Sequence, residues 1–129
     1  MALVEEPTVK PWLPVLTLEN LNTYLADPRT VALIDGQACA VFEWSAPGCY
    51  EGHYVFGADC RGKQAIIAAT DICGIMINDY GARMLWGEIK LSNRHARWFS
   101  RQIGFRSLGV EARPDEAREV FLMERSDVS

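Results

Sequence analysis

The chain has 129 residues, 49% of them hydrophobic and 23% charged, the profile of one globular domain rather than a disordered or fibrous protein. A net charge of −4, with acids and bases mixed throughout, argues against a nucleic-acid groove as its main business, and no apolar run approaches the roughly 18–20 residues that span a membrane. Four cysteines without Cys-x-x-Cys spacing indicate neither a zinc site nor a disulfide framework, and Glu5 and Glu6 stand where a signal peptide carries its basic end, so a reduced protein of the cytoplasm is expected.

Residues 1–16 read as an extended arm, because Pro7, Pro11 and Pro14 forbid a continuous helix. The arm either packs on its own domain or docks on a protein partner through Trp12. Residues 17–125 form the domain and 126–129 a tail. Thr17 caps a short helix with Leu18, Leu21, Tyr24 and Leu25 on one face, ended by Asp27-Pro28. Val31–Ile34, Asp35-Gly36 and the segment from Gln37 onward read as a hairpin, with Asp-Gly supplying the positive φ angles of a two-residue turn. In its second strand Ala38, Ala40, Phe42 and Trp44 face one way and Cys39, Val41 and Glu43 the other.

After the turn at Pro47-Gly48, Tyr50–Gly57 is a strand with Glu51, His53 and Val55 on one face and Tyr54 and Phe56 on the other. A buried helix follows from Lys63 to Tyr80, with Ala65, Ala68, Ala69, Ile72, Met76 and Tyr80 at helical spacing and Gly81 as its stop. Arg83–Leu91 is the next strand, parallel to Tyr50–Gly57 through a right-handed crossover. Ser92 caps a second helix, Asn93–Ile103, whose Arg94, Arg97 and Arg101 make a basic face. Phe105–Val110 and Glu119–Glu124 then pair antiparallel across a polar turn.

Two stretches could carry chemistry. The turn Arg61-Gly62-Lys63-Gln64 opens a helix, where unpaired backbone N–H groups and the helix dipole favour phosphate. The second is Asn93-x-x-Ala96, followed by Phe99, Ser100, Ile103 and Gly104-Phe105. Together they resemble the GNAT superfamily of N-acetyltransferases, whose signatures read Arg/Gln-x-x-Gly-x-Gly/Ala and Asn-x-x-Ala, then an apolar residue and tyrosine, then apolar-Gly-Phe. Gln64 and Ile66 replace small residues of the first pattern, and Ser100 replaces the tyrosine that in many members protonates the departing thiolate.

The resemblance implies an α/β fold, a mixed sheet of about six strands with splayed parallel central strands and three helices. It further implies acetyl-CoA in the opening, with its pyrophosphate on Arg61, Gly62, Lys63, Gln64 and Ala65. Phe56, Gly57 and Ala58 would hold the pantetheine arm by their backbone, and Asn93 would contribute to the same site. An amine acceptor must lose a proton before it attacks, and Glu51 and His53 are the expected bases, with Glu88 a weaker candidate. The short, altered version also looks similar to bacteriophage GNAT-like proteins of virions or head assembly, a non-enzymatic alternative set in host cytoplasm or virion. Acceptor identity and the choice between monomer and homodimer stay open.

Overall fold

The computed structural model describes residues 26–57 and 60–127. In chain order its elements are β1 (Val31–Asp35), β2 (Ala38–Ala46), β3 (Cys49–Phe56), α1 (Gly62–Asn78), β4 (Met84–Lys90), α2 (Arg94–Gln102), β5 (Arg106–Glu111) and β6 (Arg118–Glu124). The strands form one six-stranded sheet in the order β1-β2-β3-β4-β6-β5. All pairs are antiparallel except β3 with β4, the two strands joined through α1, as a helical crossover requires.

The pleat sorts the side chains. Ala38, Ala40 and Phe42 of β2, Tyr54 and Phe56 of β3, Leu85 of β4 and Phe121 and Met123 of β6 pack with α1 in one core. The apolar stripe of α1 lies in it through Ala65, Ala68, Ala69, Ile72, Cys73, Met76 and Ile77. Phe99 of α2 reaches the same side, edge-on to Phe56 at 5.1 Å between ring centres. Both described helices therefore cover one face. Glu43, Glu51, His53, Trp86 and Glu88 belong to the other by strand alternation and register.

Several expectations change. The first hairpin turns on Gly36 and Gln37, since Asp35 pairs with Ala38 and only Gly36, at φ +59°, lies in the left-handed region. Asp35 stays in the strand because a left-handed conformation costs any residue with a Cβ. The N-cap of α2 is Asn93, whose side chain accepts from Ala96 N–H at 3.2 Å. Ser92 is instead bound by Glu116, which accepts from its N–H at 2.6 Å and its hydroxyl at 3.0 Å. Tyr80 lies beyond the end of α1 and is exposed, because the chain turns away at Gly81, φ +72°. The arm and the helix expected from Thr17 fall outside the described residues, which hold two helices.

Two residues of the basic face of α2 are tied to the sheet, while Arg94 is exposed. Glu119, 4% exposed, accepts from Arg97 at 2.8 Å and Arg101 at 2.5 Å. Burial pushes its carboxyl up, but the Ser107 hydroxyl and the two guanidinium groups outweigh that and hold it below the usual glutamate range. This pairing fastens α2 to β6.

Candidate functional site

The parallel pairing of β3 with β4 is short. It covers Cys49↔Met84, Tyr50↔Leu85 and Glu51↔Trp86, yet β3 runs on to Phe56 and β4 to Lys90. Both strands keep their outer partners over that length, β2 for β3 and β6 for β4. The facing backbone edges beyond Glu51 and Trp86 are thus left without ladder partners, in a wedge that opens toward the strand ends. Glycines stand at its apex: a Cβ on Gly87 would lie 3.7 Å from the Gly52 carbonyl oxygen. Exposed backbone donors and acceptors in such a cleft can pair with an extended ligand that carries amide groups.

At the wide end of the wedge α1 begins. Its N-cap, Arg61, is extended and makes no side-chain cap, and the first turn carries no acidic residue. Gly62 sits at φ +56°, and Lys63 and Gln64 are exposed while Ala65 is buried. This helix start presents donors and positive charge together. Arg61 shapes the approach to it, because its guanidinium donates to the carbonyls of Gly57 at 2.8 Å and Cys60 at 3.0 Å. Gly57 is itself locked: its N–H donates to Gln37 at 2.6 Å, and a Cβ there would meet the Gln37 side chain at 2.7 Å. Ala58 lies outside the described residues.

On the face away from the helices, Glu51 stands at the last paired position before the wedge. Glu43 is directly opposite it on β2. His53 Nε2 lies 3.6 Å from a Glu43 oxygen and 3.9 Å from a Glu51 oxygen, and one donor atom from each of the three falls within 4.8 Å of the others. Burial first, and then the like charges of Glu43 and Glu88, push the Glu51 carboxyl up to about 7. Burial lowers the pKa of His53, opposed by the nearby Glu43 carboxylate. A carboxyl balanced near neutrality is suited to proton transfer at working pH.

The expected residues divide accordingly. Glu51 and His53 come together, joined by Glu43, which the sequence reading missed although hairpin register about Pro47-Gly48 would have placed it. Glu88 is close enough to raise Glu51 but is held by Arg113 at 2.7 Å. Ser100 is half-buried on α2, on the helix face of the sheet, where its carbonyl accepts from Phe105 N–H at 3.0 Å. Asn93 is occupied as a cap. The aromatic residues do not form one pocket: Phe56 packs on Phe99, Trp86 donates to Ser45 Oγ at 2.9 Å on the opposite face, and Trp98 is 47% exposed. Cys60 is buried and burial raises its thiol pKa, against the nearby Arg61 charge, which leaves it a poor nucleophile.

The sequence matches no family model and no curated protein. Solved structures do match the fold. A spermidine N-acetyltransferase variant of Vibrio cholerae superposes with TM-score 0.69 at 12% identity, over 84% of this chain and 72% of that one. A GNAT-family acetyltransferase of Bacillus anthracis gives 0.60 at 15%, over 87% and 77%. The ribosomal-protein-S5-alanine acetyltransferase of Vibrio fischeri gives 0.60 at 12% identity, over 71% of this chain, which spans only 56% of that protein. The chain has the mixed α/β GNAT fold, with the splayed central strands expected of it.

Proposed function

We propose that the protein is an acetyl-CoA-dependent N-acyltransferase whose acceptor is a cationic amine. The observation that carries this reading is the early end of the β3–β4 pairing at Glu51↔Trp86, beside an uncapped, basic helix start. In this account the wedge takes the amide-bearing pantetheine arm along the free edges of β3 and β4, and the first turn of α1 takes the pyrophosphate. Arg61 acts chiefly by fixing the carbonyls of Gly57 and Cys60, so that the N–H groups of Gly62, Lys63 and Gln64 face the phosphates. Gly57 is a positioning residue here rather than a backbone donor, because Gln37 already takes its N–H.

The bound coenzyme supplies the thioester. Glu51, at the apex of the wedge, would accept a proton from the acceptor's ammonium; the amine nitrogen would bond to the acetyl carbon as the carbon–sulfur bond breaks, and the nitrogen's second proton would pass through solvent to the departing thiolate, leaving the amide and the free thiol. His53 lies between the Glu43 and Glu51 carboxylates, 3.6 Å and 3.9 Å from them, and the acidic face attracts a cation. The name of the Vibrio cholerae neighbour, a spermidine N-acetyltransferase, fits an amine acceptor of this kind.

The test follows thiol release from acetyl-CoA with n-butylamine as acceptor. The wild type should turn over. Glu51→Gln should lose roughly 10²–10⁴-fold in kcat, the usual value of a positioned general base. Turnover unchanged in Glu51→Gln would remove Glu51 from the chemistry.

A further inference from the structure

Arg113 belongs to the connection between β5 and β6, yet its guanidinium reaches back across the sheet to β4. It donates to Glu88 at 2.7 Å and to Glu111 at 3.0 Å. The side chains of Arg113 and Glu88 are partly exposed, at 31% and 22%. Glu88 stands on the acceptor face, two residues beyond the Trp86 that pairs with Glu51. The carboxylates acting on Glu51 there are Glu43 and Glu88, and Glu111 and Glu124 share the face by register. Among the described residues, His53 lies 3.6 Å from Glu43 and 3.9 Å from Glu51, and Arg113 is the one permanent cation paired to Glu43, Glu51 or Glu88.

The geometry points to Arg113 as an internal substitute for the second positive charge of an acceptor: it occupies Glu88 and biases the site toward amines that carry a single charge. This rests on the acceptor reading of the face. A singly charged amine can use Glu51 and Glu43 and leave the Arg113–Glu88 pair intact. A polyamine would need Glu88 for a second ammonium group, and must either break the two-pronged hold of Arg113 on Glu88 and Glu111 or leave that group beside a guanidinium. Discrimination then comes from a repulsive element in the site rather than from an added contact.

The experiment measures dissociation constants of n-butylamine and spermidine for the whole chain by calorimetry at fixed ionic strength, without acetyl-CoA. The proteins compared are the wild type, Arg113→Gln and Arg113→Lys. Arg113→Gln should tighten spermidine about 10-fold and n-butylamine no more than about 2-fold, the difference expected when one freed carboxylate serves only the second charge. Arg113→Lys, which keeps the cation, should retain the wild-type ratio. Because both amines are measured on the same protein, a loss of stability alone leaves the ratio unchanged. Measurable binding with one constant ratio across the three proteins overturns the role of Arg113 and leaves the acceptor reading standing. Failure of both amines to bind any of the three overturns both.

Discussion

Glu51 carries an unusual burden for a surface-strand glutamate. Its partner across the sheet is another carboxylate, and a third lies nearby on β4, an arrangement that costs stability whenever all are ionised. Its carboxyl, raised from 4.5 to about 7, keeps its proton in the folded protein over a range where the unfolded chain has lost it. The folded state then binds more protons, so this group's contribution to stability falls as pH rises through that window. Glu51→Gln should therefore melt higher than the wild type at pH 8 and gain nothing at pH 4, as thermal unfolding across pH would show. Acyl transfer should move the opposite way, increasing as pH rises through about 7 as the base form appears. The positions of Glu51 and His53 on one face were legible from strand alternation alone. Glu43 was within reach of the same reasoning. Arg113 was not, since nothing in a polar turn signals which carboxylate its side chain will meet across the sheet.

Elements are held by contacts of different visibility. The stripe of α1 could be read directly, because periodicity is a local property and seven of its apolar positions are buried. The anchoring of α2 could be read only in part: its apolar stripe packs on the core through Phe99 and, just past its end, Ile103, but the partner of its Arg97 and Arg101 is Glu119, far along the chain. Removing that carboxylate takes away both charged hydrogen bonds, although the two guanidinium groups can still reach water. Glu119→Ala should cost about 1–3 kcal/mol, the range for losing hydrogen bonds to charged groups, measurable by denaturant unfolding. At the start of α1 the helix and the ligand make opposite demands. Lys63→Glu would place an acid in the first turn, where it favours the helix dipole by about 0.3–1 kcal/mol, and would repel a phosphate from the same spot. The variant should melt at or above the wild-type temperature and show no stabilisation by acetyl-CoA. Gly57→Ala should destabilise by about 1–3 kcal/mol, the usual range for overpacking, because its new methyl group meets the Gln37 side chain.

The parallel β3–β4 pair and the antiparallel neighbours follow from rules of connection, but the insertion of β6 between β4 and β5, themselves joined by a helix, does not. A helix between two strands calls for a parallel crossover, and short turns call for antiparallel neighbours. What those rules do not give is where two parallel strands part. That position depends on the twist and outer partners of each strand, and it decides whether the sheet has a cleft. No helix among the described residues is long and apolar enough to cross a membrane. In the proposed function the wedge and the start of α1 bind acetyl-CoA, and the direct test is the unfolding midpoint with and without that ligand. At 100 times its dissociation constant the ligand should add about 2.7 kcal/mol, a rise of several degrees, and the rise should vanish in Lys63→Glu. An unmoved midpoint at millimolar acetyl-CoA would contradict the claim and leave a GNAT fold whose wedge serves some other purpose.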